Sequence, residues 1–241
     1  MKIRSYKHDA EAIVYDADRI HQPDPELFDP GYWRGQGGVV GQAVGRGSAL
    51  LLETPFGPAV LRQYLRGGWP ARLSRDRYLF TGFERSRPLA EFEMLASLTG
   101  MDLPVPAPLA ALCRRQGFLY RGWLLMERIL QVQALADLIG ERSGSPALWR
   151  GVGETIARFH RAGVLHADLN ARNILVGRDD AIHLVDFDRA RFAGNGTLSR
   201  LANLKRLRRS LEKFWPTADR DRLEPCWAEL QSGYYGGVRS A

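Results

Sequence analysis

The chain has 241 residues, of which 45% are hydrophobic and 25% charged, which indicates a globular protein of one domain or one two-lobed unit. No apolar run approaches the roughly 20 residues that a membrane span needs, and the N-terminus lacks the apolar core of a signal peptide, so we expect neither. The net charge of +7 indicates an anionic neighbour (nucleotide, nucleic acid or lipid) or only a solvated arginine-rich surface.

The N-terminal part of the chain predicts strands next to a glycine-rich loop. Residues 1–33 mix short β-like runs with proline-rich turns, and we interpret them as an N-terminal extension that leads into a sheet. Two strands are predicted at residues 48–53 and 57–65. The Gly45-Arg46-Gly47 loop before them would let backbone N–H groups approach phosphates closely, although its composition fits a flexible linker about as well.

Helices and further strands are predicted along the rest of the chain. Residues 86–99 and 146–162 place their apolar side chains on one face, which predicts two helices. Strands are predicted between them at 110–113 and 119–129. A third helix, at 199–215, has a basic flank that is either a solvated face or a surface for docking on an anionic membrane. This flank consists of Lys205, Arg206, Arg208, Arg209 and Lys213.

Residues 164–191 contain the side chains that phosphoryl transfer from ATP requires. Two apolar runs flank a turn at residues 177–180 and predict a hairpin. A carboxylate must orient or deprotonate the attacking hydroxyl, a role that we assign to Asp168 just before the hairpin. An amide and a second carboxylate must hold Mg²⁺ against the phosphates, and Asn173 and Asp186 supply these hard oxygen ligands.

This block resembles the catalytic and metal-binding loops of the protein-kinase-like superfamily, H-R-D-L-x-x-x-N and D-F-G. The first motif reads His166-Ala167-Asp168-Leu169-Asn170-Ala171-Arg172-Asn173 here, and the second reads Asp186-Phe187-Asp188. Asn170 stands where protein kinases usually carry lysine, as is common in small-molecule kinases of the superfamily. Asp188 replaces the loop glycine, which disfavours a mobile in/out switch. The alternative interpretation is an ordinary hairpin with polar turns.

The resemblance implies an α+β, bilobal protein-kinase-like fold, with a small β-rich N-lobe and a mainly helical C-lobe. We expect residues 1–126 to form the N-terminal extension and the N-lobe, and residues 127–241 to form the C-lobe. The resemblance also implies a phosphate-binding lysine on the second predicted strand, where Arg62 stands instead. Either Arg62 takes that role, which we favour, or the nucleotide is held differently. A helix carboxylate should pair with this cation, and we choose Glu91 over Glu93.

The same resemblance implies how a nucleotide is held. The backbone of the Gly45-Arg46-Gly47 loop would position the phosphates, and backbone groups near Glu127 and Ile129 would hold adenine. His166 would organise the catalytic loop through hydrogen bonds, without carrying a proton. ATP and Mg²⁺ are therefore the expected cosubstrate and cofactor.

A narrower resemblance covers most of the chain, from about residue 35 to about residue 235. It rests on Gly45-Arg46-Gly47, Val60-Leu61-Arg62-Gln63-Tyr64, Arg66-Gly67-Gly68, Asp76-Arg77-Tyr78-Leu79-Phe80, Leu103-Pro104-Val105-Pro106, and the runs HADLNARNILV, VDFDRAR and NLKRLRRSL. These segments look like the 3-deoxy-D-manno-octulosonic acid (Kdo) kinase family of Gram-negative lipopolysaccharide synthesis. That family transfers the ATP γ-phosphate to the 4-hydroxyl of Kdo attached to lipid A.

The family resemblance implies a partner and a location as well as a reaction. The acceptor would be Kdo-lipid A, and the enzyme would be a peripheral protein at the anionic cytoplasmic face of the inner membrane, with no nucleic-acid partner. Cys113 and Cys226 lack the spacing of a metal or redox site, which agrees with a reducing cytoplasm. Four arginines are candidates for binding the acidic acceptor. They are Arg66, Arg72, Arg189 and Arg191.

Three alternatives stay open at this stage. The first is a heptose kinase of lipopolysaccharide synthesis, or another small-molecule kinase of the same fold. A protein kinase is disfavoured by Asn170 and by the lack of a long activation segment before the helix at 199–215. A catalytically dead kinase fold that only binds membrane or nucleic acid is disfavoured by the intact Asp168, Asn173 and Asp186, while the missing strand lysine supports it. None of these patterns predicts an oligomeric state.

Overall fold

A computed structural model of the protein describes residues 1–43, 49–65, 76–142, 145–192 and 196–239. The chain forms two compact units. The first combines Met1–Gly100 with Pro106–Arg128, and the second combines Met101–Val105 with Ile129–Ala241. The first unit is built on a β-sheet and the second is mainly helical, which confirms the predicted α+β class. The lobe boundary after residue 126 stays a prediction.

The described part of the first unit contains an antiparallel sheet flanked by two helices. Along the sheet the strands follow the order β1-β2-β7-β8-β5-β4-β3, and β6 pairs with β8. The strands are β1 (Ile3–His8), β2 (Glu11–Asp16), β3 (Val39–Ala43), β4 (Ala49–Thr54), β5 (Gly57–Gln63), β6 (Tyr78–Leu79), β7 (Pro108–Gln116) and β8 (Leu119–Glu127). The helices are α1 (Pro30–Gly35) and α2 (Arg87–Gly100). The helix predicted at 86–99 is therefore confirmed.

The first residues of the chain belong to the sheet itself. β2 lies between β1 and β7, with Ile13 opposite Tyr6 on one side and opposite Leu112 on the other. Its apolar run Ala12–Tyr15 is buried. The segment that the sequence indicated as an extension leading into the sheet thus supplies two of its strands. The pairing of β2 with β7 is non-local, so local pattern alone does not reveal it.

The second unit is mainly helical, and its described strands form two small sheets. Its helices are α3 (Leu135–Arg142), α4 (Pro146–Arg161), α5 (Thr197–Phe214) and α6 (Leu223–Arg239). One sheet has the order β12-β11-β9, from β9 (Val132–Ala134), β11 (Ile174–Gly177) and β12 (Ile182–Leu184). The other pairs β10 (Val164–Leu165) with β13 (Arg191–Phe192). β11 and β12 are antiparallel, which confirms the predicted hairpin.

Helices α4 and α6 approach each other so closely that glycine is required at their contact. A Cβ atom on Gly153 of α4 would lie 2.0 Å from the carbonyl oxygen of Leu230. A Cβ atom on Gly233 of α6 would lie 2.1 Å from the carbonyl oxygen of Arg150. Both distances are far below van der Waals contact, so neither backbone can accept a side chain without moving.

A buried histidine links three helices of the second unit. His160 Nδ1 lies 2.8 Å from the hydroxyl of Tyr234 on α6, and its Nε2 lies 3.3 Å from Oδ1 of Asn203 on α5. The Asn203 oxygen can only accept, so Nε2 carries the proton and Nδ1 accepts from the tyrosine. Burial lowers the pKa of His160 from 6.5 to about 4. The histidine is therefore neutral in the folded protein at pH 7.

Stability should fall as the pH is lowered from about 6.5 to about 4, in part because of His160. In that window the unfolded chain binds a proton at this residue and the folded chain does not, so protonation favours unfolding. Above about pH 6.5 His160 is neutral in both states and no longer makes the free energy of unfolding depend on pH. Each such group contributes a slope of up to roughly 1.4 kcal/mol per pH unit. Urea unfolding across this range should give a shallower slope for His160→Gln than for wild type, with parallel curves above pH 7. Identical slopes would contradict the assignment.

Candidate active site

The loop predicted to be catalytic connects β10 to β11 and is fixed by its own apolar residues. Leu169 and Ala171 are buried, and a 3-10 turn at Ala171–Asn173 leads directly into β11. Immediately before these anchors, the side chain of Asp168 is 44% exposed. The loop therefore holds a carboxylate in contact with solvent on a backbone attached to the core, which suits a group that must meet a substrate hydroxyl.

Two asparagine side chains hold the backbone of Asp168. Nδ2 of Asn170 and Nδ2 of Asn173 each donate to its carbonyl oxygen, both at 2.9 Å. The Asn170 oxygen also accepts from the backbone N–H of Arg172. Asn170, the departure from the protein-kinase pattern, is thus part of the loop scaffold. Because the Asn173 nitrogen binds the backbone, the amide oxygen is the atom that remains to coordinate a cation.

His166 organises this loop as a neutral residue. The backbone N–H of Asp168 donates to Nδ1 of His166 at 3.1 Å, so the imidazole proton is on Nε2. Nε2 donates this proton to the carbonyl oxygen of Val185 at 2.9 Å. Burial lowers the pKa of His166. Both ring nitrogens are engaged with the backbone, and this arrangement supports the predicted supporting role, with no proton transfer through the imidazole.

The second predicted carboxylate follows the hairpin. The backbone N–H of Val185 donates to the carbonyl oxygen of Asn173 at 3.0 Å, which ties the end of the hairpin to the catalytic loop. Asp186 comes next, with an exposed side chain and a left-handed backbone at φ 67°. Phe187 is buried and stacks on Phe159. The buried ring anchors a loop whose neighbouring carboxylate faces outward.

The oxygen ligands of this unit suit a metal ion that is also coordinated by the phosphates of a bound nucleotide. Among the described residues, no group of three or more His, Cys, Asp or Glu side chains is placed to hold a metal ion. Mg²⁺ is typically bound by one or two protein oxygen ligands together with phosphates and water. The amide oxygen of Asn173 and the carboxylate of Asp186 fit that pattern better than they fit a permanent metal site.

Helix α5 contacts the catalytic loop through three polar side chains that the sequence analysis did not select for a role in the site. The amide of Asn203 accepts from the backbone N–H of His166 at 3.2 Å and donates to its carbonyl at 2.7 Å. Nη1 of Arg206 donates to Oδ1 of Asp168 at 3.0 Å, and Ser210 accepts from the backbone N–H of Ala171 at 3.0 Å. Spacings of three and four residues put these side chains on one helix face, a signal present in the sequence.

A basic cavity of about 400 Å³ lies beside this contact. Arg189 and Arg191, two predicted acceptor-binding residues, line it together with Arg206 and Arg209 of α5. Its described lining residues include no carboxylate. The structure therefore brings Arg189 and Arg191 next to the catalytic loop, and it adds two arginines that the sequence analysis placed only on a basic flank.

In the first unit, the predicted cation and carboxylate are in contact. Nη2 of Arg62 on β5 and the hydroxyl of Tyr64 both donate to Oε2 of Glu91, which is buried on α2. Burial, and then the neighbouring Glu91, raise the pKa of Tyr64 well above its ordinary value, so its hydroxyl keeps its proton. Glu93, the other candidate, is exposed. The pairing of Arg62 with Glu91 is confirmed, and its role in nucleotide binding stays a prediction.

Glu91→Gln should destabilise the protein by about 2 kcal/mol and raise the KM for ATP, whereas Glu93→Gln should change neither. The first substitution removes the buried carboxylate that pairs with the mostly buried Arg62, and partial exposure of Arg62 moderates the effect. The second removes an exposed carboxylate two residues away on the same helix. Urea unfolding and initial rates at varied ATP measure both effects. Equal behaviour of the two variants would contradict the assignment.

The structure does not bring the other predicted nucleotide-binding residues together at the catalytic loop. The backbone N–H of Glu127 donates to the carbonyl of Ala107, and its carboxylate pairs with Arg19, so this N–H is not available to adenine. Ile129 lines a cavity of about 460 Å³ next to the β11–β12 hairpin. Neither Asp168 nor Asp186 lines this cavity. Five predicted residues lie outside the described ranges. They are Gly45, Arg46, Gly47, Arg66 and Arg72.

The α+β fold, together with a loop that holds Asp168 and Asn173 next to Asp186, defines a phosphotransferase of the protein-kinase-like superfamily. Comparison with known families narrows this class. Residues 31–234 match the model of the lipopolysaccharide kinase (Kdo/WaaP) family, and the chain belongs to that family.

Two groups of curated relatives align with almost the whole chain. A 3-deoxy-D-manno-octulosonic acid kinase of Xanthomonas euvesicatoria pv. vesicatoria (strain 85-10) is 47% identical over 223 residues, which cover 92% of this chain and 89% of the relative. The kinase of the same name from Stenotrophomonas maltophilia (strain R551-3) is 45% identical over 225 residues, with the same coverage of both chains. The similarity therefore includes both compact units.

Proposed function

We propose that this protein transfers the γ-phosphate of ATP to the 4-hydroxyl of Kdo in Kdo-lipid A. The observation that carries the proposal is the 47% identity to a 3-deoxy-D-manno-octulosonic acid kinase over 92% of the chain. The geometry of the catalytic loop supports the reaction type, because it exposes one carboxylate beside an amide and a second carboxylate. No observation favours a heptose kinase or a dead kinase fold.

In this proposal each residue of the site has a separate role. Asp168 accepts a hydrogen bond from the 4-hydroxyl and takes its proton as the bond from the sugar oxygen to the γ-phosphorus forms and the bond from that phosphorus to ADP breaks, so that ADP leaves. The Asn173 oxygen and the Asp186 carboxylate hold Mg²⁺, which neutralises phosphate charge when it is bound. Arg62, fixed by Glu91, contacts the phosphates of ATP.

Asp186→Asn should weaken Mg²⁺-dependent ATP binding about tenfold or more, because a neutral amide replaces the anionic ligand of a divalent cation. Asp179→Asn is the matched control, since it removes a carboxylate from the turn of the neighbouring hairpin, where Asp179 accepts from the backbone N–H of Ala181. Titration of a fluorescent ATP analogue with and without Mg²⁺ measures the effect. An unchanged Mg²⁺ dependence in Asp186→Asn would exclude Asp186 as a metal ligand.

We also propose that the protein works as a peripheral protein at the cytoplasmic face of the inner membrane. None of the described helices is long and apolar enough to cross a membrane. The supporting features are the net charge of +7 and helix α5, which exposes Lys205 and Lys213 together with the apolar Leu198. Cosedimentation should show binding to phosphatidylglycerol vesicles that decreases with salt. Equal binding to neutral vesicles would contradict this proposal.

The test of the proposed reaction compares two acceptors that differ only in the proposed substrate. The protein is incubated with ATP, Mg²⁺ and either Kdo-lipid A or lipid A lacking Kdo, and the products are weighed by mass spectrometry. We expect one phosphate to be added to the Kdo-bearing lipid and none to the other. Phosphorylation of both lipids, or of neither, would contradict the proposal.

A further inference from the structure

The basic cavity beside the catalytic loop has the properties of an anion-binding site. Four arginines line it, and within the described ranges no carboxylate lies within ion-pair distance of Arg189, Arg191 or Arg209. A concave site lined by charges of one sign attracts ligands of the opposite sign. Arginine also presents several N–H donors in a planar fork that matches a carboxylate or a phosphate.

Arg206 connects this cavity to Asp168. Only Nη1 of its guanidinium donates to the Asp168 carboxylate, at 3.0 Å. The group is 47% exposed and also lines the cavity, so its other nitrogens remain able to donate to a ligand there. The helix that carries it is fixed by the hydrogen bonds of Asn203 and Ser210 to the loop, so the arginine is presented from a rigid element.

We propose that Arg206 and Arg209, together with Arg189 and Arg191, form the subsite that holds the carboxylate of the acceptor sugar while its hydroxyl meets Asp168. This inference rests on the proposed function. The reacting hydroxyl and the carboxylate belong to one sugar ring, so the carboxylate must bind close to Asp168, and the cavity satisfies this requirement. Arg206 then acts as a positioning residue as well, because one guanidinium contacts both Asp168 and the acceptor anion.

The anionic groups of the acceptor can be distinguished by changing them one at a time. Three acceptors are compared in detergent micelles, so that vesicle binding does not contribute. They are Kdo-lipid A, the same lipid with the Kdo carboxyl reduced to an alcohol, and Kdo-lipid A with the lipid A phosphates removed. Because a charge-assisted hydrogen bond is strong, wild type should prefer the natural acceptor over the carboxyl-reduced one by about tenfold or more in kcat/KM.

Variants of the arginines then show which residues cause the preference for the natural acceptor over the carboxyl-reduced one. In Arg209→Gln the preference should fall to near one through a higher acceptor KM, with the KM for ATP unchanged. In Arg206→Gln the preference should fall in the same way, and kcat should fall too, because Asp168 loses its contact. Arg178→Gln, which removes an exposed arginine from the β11–β12 turn, should keep the wild-type preference. Removing the lipid A phosphates should affect all four proteins equally.

The outcomes separate this inference from the proposed function. If wild type phosphorylates no Kdo-bearing acceptor, both the proposed function and the proposed subsite are excluded. If wild type phosphorylates Kdo-lipid A and the preference persists in both arginine variants, the subsite alone is excluded. A selective loss of sensitivity to the lipid A phosphates in these variants would overturn the inference too, because it would assign the cavity to those phosphates.

Discussion

Asp168→Ala should lower kcat by about 10²–10⁴-fold, the range that removal of a positioned general base typically produces. The carboxylate is 44% exposed and its main contact is Arg206, so the substitution removes no core packing and should leave the fold intact. Steady-state rates with Kdo-lipid A, at saturating ATP and Mg²⁺, measure the effect. The KM for ATP should change little, because Asp168 is assigned to the acceptor and not to the nucleotide.

The control for this variant is another carboxylate of the same unit. Asp179→Asn removes a negative charge from the turn of the neighbouring hairpin and should keep the wild-type kcat. Thermal unfolding of Asp168→Ala should give a midpoint close to that of wild type. A folded Asp168→Ala protein with a near-wild-type rate would remove Asp168 from the reaction and would leave the catalytic loop without its assigned base.

Gly153→Ala should destabilise the protein by about 3 kcal/mol or more, at the upper end of the range for overpacking. The new Cβ atom would lie 2.0 Å from the carbonyl oxygen of Leu230, so α4 and α6 would have to separate along their contact. The obstacle is backbone, which cannot rotate away as a side chain can. Urea unfolding monitored by tryptophan fluorescence or by circular dichroism measures the loss.

Gly151→Ala is the matched control for this prediction. It lies two residues away on the same helix, where the nearest atom to a new Cβ is Cγ1 of Ile182 at 4.0 Å. This substitution should be neutral or should stabilise the protein by about 0.5–1 kcal/mol, because alanine favours helix over glycine. Equal stability of the Gly153 and Gly151 variants would show that the helices adjust freely and that the close contact is not a constraint.

The parts of the site that the sequence predicts are those encoded by local spacing. Asp168, Asn173 and Asp186 occupy fixed positions around a short hairpin, and such a hairpin follows from two apolar runs and a turn. The contact of Arg62 with Glu91 is non-local, and the sequence predicted it only through the family resemblance. Tyr64, which shares the Glu91 carboxylate, was not predicted because a tyrosine near a strand end has many ordinary uses.

The features that the sequence did not predict depend on how elements pack. Asn203 and Arg206 contact the catalytic loop from a helix that follows it, and their spacing is equally typical of a solvated helix face. β2 pairs with a strand about a hundred residues later, which no local pattern specifies. Gly153 and Gly233 are required only because the backbones of two helices meet at them. A single glycine within a predicted helix does not by itself indicate such a contact.

The most direct test of the account is to locate the transferred phosphate on the product. Kdo-lipid A is phosphorylated by wild type with ATP and Mg²⁺, and the product is examined by phosphorus–proton correlation NMR. We expect a single new phosphorus resonance coupled to the proton on C4 of Kdo. In the time that wild type needs to convert the acceptor, Asp168→Ala should form at most about one hundredth of this product. A new phosphate coupled to a proton of another sugar, or formation of the same product by folded Asp168→Ala at a near-wild-type rate, would contradict the proposed reaction.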